Sequence, residues 1–153
     1  MKRAALIWTL LLGACHNPDS ALAGAGQIVG DTIPEALTEI PGDAARGESV
    51  FAEREQGHCV LCHVVAGLNV PFQGNVGPDL SLVGERLSSA ELRLRIVDYQ
   101  IVTPGALMPS YYRKHDLYQV QEPYVGETIL SAQQVEDLVT YLSELEENVD
   151  DIG

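Results

Sequence analysis

Cys59-Val60-Leu61-Cys62-His63 is the stretch on which the reading of this chain turns. Two thiols three residues apart, with an imidazole on the very next residue, make up the c-type haem attachment sequence. The spacing has a physical reason. Both sulfurs can reach the vinyl groups of one porphyrin, and the thioether bonds that form then hold the ring. His63 is thereby delivered beneath the iron as proximal ligand. Two other chemistries use related spacing. A thioredoxin-like redox pair also has C-x-x-C, but in a βαβ setting that this sequence does not show. A zinc site needs four ligands, and Cys59, Cys62, His58 and His115 form one such set. Neither explains a histidine directly after Cys62 in an exported chain, so haem attachment is the preferred reading.

Working outward, the second axial ligand is reached by elimination. The chain has two methionines, and Met1 leaves with the N-terminal signal described below, so Met108 is the thioether that remains. Of the four histidines, His16 lies in the signal region or beside the new terminus, and His63 is already assigned. His58 is tied to the attachment side by its neighbour Cys59, which leaves Met108 and His115. Met108 stands in the loop Thr103-Pro104-Gly105-Ala106-Leu107-Met108-Pro109, whose prolines fix the backbone around a weak ligand. His115, among Arg113, Lys114 and Asp116, reads as a solvated surface residue. A lone methionine is more often a core filler, but within a haem protein it is the expected distal ligand. Gly77-Pro78-Asp79-Leu80 adds a carbonyl at Pro78 with no competing N–H, suited to hold the second nitrogen of His63. A plain Gly-Pro turn is the alternative.

Three helices surround these elements. The first is expected from about Asp43 to Glu55, with Asp43 as cap and Ala45, Phe51 and Ala52 as an interrupted apolar face. The second, from Ser89 to about Tyr99, opens with a Ser88/Glu91 capping box and repeats Leu92, Ile96 and Tyr99. The third runs from Ala132 to about Glu146. Ser131 and Gln134 box its start, and Val135, Leu138, Val139, Leu142 and Leu145 form one stripe. Gly47 and Phe51 on the first helix and Tyr141 on the third read as contacts of a helix crossing. Loops punctuated by Gly and Pro join the helices, and no alternating strand pattern is visible. A chain so rich in loops needs something at its centre to wrap around, and haem serves.

At 153 residues there is room for one domain. Lys2 and Arg3 followed by the apolar run Ala4 to Leu12 read as an export signal, too short to span a bilayer. Ala21-Leu22-Ala23 gives a cleavage site that makes residues 1–23 the signal. The competing cut lies before Cys15, where Leu12-Gly13-Ala14-Cys15 resembles a lipobox and would leave a lipid anchor on Cys15. Residues 24–42 form a leader with a few ordered contacts, and residues 43–153 the domain. The charge is −13, from 22 acidic and 9 basic residues. Nucleic acid is thereby excluded as a partner for want of basic clusters. A basic protein face remains plausible, beside the plainer role of charge in solubility.

With these residues placed, the sequence resembles the SoxX family, the small cytochrome subunits of periplasmic SoxAX complexes in sulfur-oxidising bacteria. The general class I cytochrome c pattern covers Asp43 to Glu146. More selective are Asn75-Val76-Gly77-Pro78-Asp79-Leu80, the run Ser88 to Asp98, Met108-Pro109-Ser110-Tyr111-Tyr112-Arg113, and Ile129 to Leu142. The resemblance implies an all-α class I cytochrome c fold, three main helices with long loops around one covalent haem c. The family's haem-binding cysteines, proximal histidine and distal methionine fall on Cys59, Cys62, His63 and Met108.

The resemblance also implies a role in thiosulfate oxidation, as part of an L-cysteine S-thiosulfotransferase with a larger SoxA-type subunit. Counting sulfur then divides the labour. Of three cysteines, Cys59 and Cys62 become thioethers and Cys15 is removed or lipidated. No thiol is left here to attack or to carry sulfur. No catalytic residue is therefore expected in this chain, which accepts electrons and passes them to a downstream acceptor. Two readings compete with this one. The first is a free-standing periplasmic electron carrier, which keeps a small polar docking face where a subunit buries an apolar one. The second is a haem enzyme such as a peroxidase, which requires an exposed iron. Tyr111, Tyr112, Tyr118 and Tyr124 fit either a docking patch or packing over the porphyrin.

Overall fold

The computed structural model describes residues 27–114 and 117–147. The signal at 1–23, the alternative cut before Cys15, the first residues of the leader, His115 and the last residues of the domain lie outside the described residues.

Asp43 has an extended backbone, and its carboxylate accepts the Arg46 N–H at 2.8 Å, so helix α1 (Ala44–Ala52) starts where the capping acid stands. It ends at Ala52, earlier than the Glu55 expected from sequence. Glu53, Arg54 and Glu55 are good helix formers, but tertiary structure overrides them. Glu53 is extended, the Gly57 N–H turns back to the Val50 carbonyl at 3.0 Å, and His58 takes a left-handed φ of 47°. That reversal lays the 3-10 turn Cys59–Leu61 against α1. The buried face of α1 is Gly47, Val50 and Phe51, while Ala45, expected on that face, is exposed.

Helix α2 (Ser89–Val102) opens with both halves of its capping box: Ser88 N–H donates to Glu91 Oε2 at 2.9 Å, and Glu91 N–H to Ser88 Oγ at 3.4 Å. It continues past the expected end at Tyr99, but not as one regular helix. Asp98 is non-helical, with φ −158° and ψ 89°. Helix α3 (Ala132–Ser143) has the Ser131/Gln134 box and buries Val135, Leu138, Val139 and Leu142. It stops before the expected Glu146, because the Glu144 N–H is shared between the Thr140 and Tyr141 carbonyls and tightens the last turn. Leu145 follows outside the helix, and its carbonyl receives the Gly84 N–H at 3.0 Å.

The crossing of α1 on α3 forms the frame. A Cβ at Gly47 would lie 2.1 Å from the Asp137 carbonyl oxygen and 2.7 Å from Tyr141 Cβ, so only glycine lets the helices approach this closely. The rings of Phe51 and Tyr141 then meet at 5.7 Å with a 57° tilt. Burying Phe51, which is 1 % exposed, contributes roughly 1.5–3 kcal/mol. Asp137 ties the same joint: it accepts Arg46 Nε and Nη2, each at 2.8 Å, and the Asp43 N–H at 2.9 Å.

The segment 27–42 is tied to the helices at Ile33 and Leu37, while most of its other residues are exposed. Ile33 is fully buried, and its N–H donates to the Ala90 carbonyl. Arg93 of α2 forms a buried bidentate pair with Glu136 of α3 at 2.7 and 2.9 Å. Its remaining Nη1 donates to the Ile33 carbonyl, and Glu136 also accepts the Leu37 N–H. Two buried charges are thus satisfied by one another and by the leader's backbone, which offsets their desolvation. Among the described residues there is no strand, only an isolated bridge between Val29 and Thr32.

Candidate haem cleft

The attachment motif is held by backbone bonds before any side chain acts. Cys62 N–H and His63 N–H both donate to the Cys59 carbonyl at 3.0 Å, closing the turn. Gly74 N–H then donates to Val60, Gly77 N–H to Cys62 and Leu80 N–H to Val64, at 2.8 to 2.9 Å, so residues 74–80 are strapped along the motif. Gly74 sits where a Cβ would fall 1.9 Å from the Leu61 carbonyl oxygen, which explains glycine there. Gln73 completes the strap by accepting Val65 N–H at 2.7 Å and donating to the Val65 and Leu68 carbonyls.

This strap brings the Pro78 carbonyl to 2.8 Å from His63 Nδ1. A carbonyl oxygen only accepts, so Nδ1 carries the hydrogen and Nε2 keeps its lone pair for a metal. Gly77 makes room for the ring: a Cβ there would lie 2.3 Å from His63 Cε1.

His63 opens onto a cleft with an empty volume of about 310 Å³, including its part open to solvent. Cys59 shares it from the motif, and Met108 and Tyr111 enter from the loop after α2. Phe51 of α1, Ile96 of α2, Leu80, and Leu138 and Leu142 of α3 supply the apolar lining. The fold therefore brings Cys59, His63 and Met108 to one cleft; Cys62, half-buried, directly follows the 3-10 turn. Burial pushes the Cys59 thiol up to about 12 and Tyr111 well above the ordinary phenol value. Burial thus favours the neutral forms of both groups.

The donor set fits haem. An imidazole nitrogen with its tautomer fixed, a thioether, and a pair of thiols at attachment spacing share a wall of aliphatic and aromatic carbon. The set does not fit zinc, since among the described residues no three His, Cys, Asp or Glu side chains gather as a metal site. His58 is locked into the turn before Cys59, and His115 lies outside the described residues.

The four tyrosines divide. Tyr111 lines the cleft and Tyr112 is 7 % exposed, whereas Tyr118 is 91 % and Tyr124 62 % exposed. Sequence reasoning missed the role of Asp98, which gathers Ser110 and Arg113 beside the cleft. Its one signal was an acid within an otherwise apolar helical face.

Comparison with known proteins agrees with this architecture. The family model for cytochrome c matches residues 44–146, and the chain belongs to the cytochrome c family. Its three helices without strands among the described residues are the all-α class I fold, and the family carries covalently bound haem c. A chain in the crystal structure of SoxXA from P. pantotrophus is 30% identical and superposes with a TM-score of 0.72, over 78% of this chain and 93% of that one. Within the family, this is a SoxX-type cytochrome c. No curated protein matches.

Proposed function

We propose that this chain is the electron-accepting subunit of a SoxAX-type complex, which couples thiosulfate oxidatively to a cysteine of a carrier protein as an L-cysteine S-thiosulfotransferase. The observation that carries the reading is the sharing of one apolar cleft by Cys59, His63 and Met108. In this reading Cys59 and Cys62 hold one haem c by thioether bonds, and His63 and Met108 are its axial ligands. The Pro78 carbonyl fixes the His63 ring. When bound, the haem supplies a one-electron site whose potential thioether ligation raises. Two protein ligands leave no position for substrate. Cys59 and Cys62 are consumed in attachment, so the sulfur chemistry belongs to the larger SoxA-type subunit. Forming a sulfur–sulfur bond between thiosulfate and a thiol releases two electrons and a proton. This chain takes the electrons singly and passes them to a downstream acceptor.

The export signal over residues 1–23 places the protein in the periplasm, with lipid anchoring at Cys15 as the alternative. Among the described residues no helix is long and apolar enough to cross a membrane. The alternative of a free-standing periplasmic carrier is less favoured by the surface, because Leu107, next to Met108, is 89 % exposed, and Tyr118 and Tyr124, further along the segment between α2 and α3, are exposed as well. A shuttle keeps such a face polar.

Three measurements test the reading. The as-purified protein should show low-spin His/Met haem c that resists extraction by acidified organic solvent. Met108→Ala should admit small ligands to the iron and lower the potential. Expressed with its neighbouring genes, the protein should copurify in equal amounts with a larger C-x-x-C-H cytochrome. Isolation as a monomer at every ionic strength would return the carrier reading, and a five-coordinate resting iron would return the peroxidase-like one.

A further inference from the structure

The interruption of α2 at Asp98 has a specific geometry. In an unbroken helix the Gln100 N–H would donate to the Ile96 carbonyl. Here it donates to the Asp98 carboxylate at 3.2 Å, as a first-turn N–H does to a capping acid. Asp98 thus ends one helical stretch and caps the next. The Ile96 and Val97 carbonyls are left available, and the loop after Met108 takes both: Tyr111 N–H donates to Ile96 and Tyr112 N–H to Val97, each at 3.2 Å.

The same carboxylate holds the loop by its side chains. Ser110 Oγ donates to Asp98 Oδ1, and Arg113 Nη1 to Oδ2 at 3.0 Å. Asp98 is 3 % exposed and Ser110 7 %. Every acceptor bond the carboxylate makes is therefore spent in a dry site, where losing one is most strongly felt. On the other side of Met108 the chain is fixed by the end of α2 and the turn at Gly105, whose φ is 81°. Ser110 is separated from Met108 by Pro109 alone, which has little freedom of its own.

We propose that Asp98 is a positioning residue for the Met108 thioether: by breaking α2 and clasping Ser110 and Arg113, it holds the distal ligand at the iron. The proposal rests on the reading of Met108 as that ligand. A thioether is a weak ligand and stays bound because its backbone cannot retreat. Asp98 is what prevents the retreat. It does not itself line the cleft.

The test uses the mature holoprotein. Asp98→Asn keeps the size of the side chain and removes the charge that three donors share. It should retain covalent haem c, while the far-red band of thioether-ligated ferric haem weakens and the potential falls. Imidazole should bind the ferric iron roughly tenfold or more tighter, the scale expected from losing one charged hydrogen bond. Glu136→Gln, which disturbs a more deeply buried ion pair away from the loop, should lower the melting temperature without changing imidazole affinity. Ser110→Ala should move all three readings in the direction of Asp98→Asn, by less. If Asp98→Asn fails to mature, Ser110→Ala and Arg113→Gln decide, since both leave the carboxylate in place. Unchanged band, potential and imidazole affinity in those variants would overturn the proposal, as would a Glu136→Gln variant that loosens the iron equally. A wild-type protein lacking the thioether band would instead overturn the assignment of Met108 itself.

Discussion

Nδ1 of His63 stands 2.8 Å from the carbonyl oxygen of Pro78, the one residue type whose carbonyl comes without an N–H to compete for it. The contact exists because Gly77, between the strap and the ring, has no side chain. A Cβ there would lie within 2.8 Å of three atoms of the imidazole. Gly77→Ala should therefore displace the ring or the strap, costing about 1–3 kcal/mol. Lower holoprotein yield, a lower melting temperature and a shifted reduction potential should appear together. A variant with the parent's potential and melting temperature would show that the loop yields freely.

The joint between α1 and α3 makes a second prediction. Gly47 meets backbone atoms of Asp137, which cannot rotate away as a side chain can. Gly47→Ala should destabilise by about 3 kcal/mol, the upper end of overpacking, despite alanine's better helix propensity. Denaturant unfolding of the holoprotein measures it, and a gain in stability would contradict the packing described.

Asp137 sets a dependence on acidity. Burial alone would raise its pKa, but hydrogen bonds from Arg46, Gln133 and the Asp43 N–H outweigh that and hold it below the usual carboxylate range. A folded value below the unfolded one means that the stabilisation is complete above about pH 4, and is lost as pH falls through the folded value. The melting temperature should decline below pH 4. Asp137→Asn should melt lower than the parent at pH 7 and lose less on acidification; parallel curves would remove Asp137 from the acid response.

If the proposed complex forms, the division among the tyrosines should separate partner binding from haem packing. Tyr118→Ser with Tyr124→Ser should leave the haem spectrum unchanged and weaken association with the larger cytochrome by roughly tenfold, the effect of truncating an aromatic anchor. Tyr111→Ala should do the reverse, altering the spectrum because Tyr111 lines the cleft. Titration by calorimetry beside visible spectroscopy resolves the two, and a double variant that binds as the parent does would place the docking face elsewhere.

Much of this architecture was legible before any coordinates. The capping boxes at Ser88 and Ser131 are written within four residues, and helical spacing of Val135, Leu138, Val139 and Leu142 needs no partner to be recognised. The approach of Gly47 to Tyr141 could be read because a small residue opposite an aromatic has few other uses. What escaped depends on distant chain. Glu53 to Glu55 favour helix locally and were overridden by the reversal that places Cys59. Ile33 shares its Gly- and Pro-punctuated stretch with Ile28, Val29, Leu37 and Ile40, of which Val29 and Ile40 are exposed, so the pattern did not single out the one that is fully buried. Arg93 and Glu136 look like surface charges until each is seen to neutralise the other. Asp98 sits within a continuous helical pattern, and only the loop that returns to it explains the break.

The latch formed by Arg93, Glu136 and the backbone of Ile33 and Leu37 joins chain positions up to 99 residues apart. The N-terminal segment can dock there only once α3 is in place to offer Glu136. Closing so large a loop is slow. Until α3 arrives, Leu138 and Leu142 are missing from the wall around Cys59. While the latch is open the two sulfurs stay within reach of an attachment enzyme, and the door shuts behind the porphyrin.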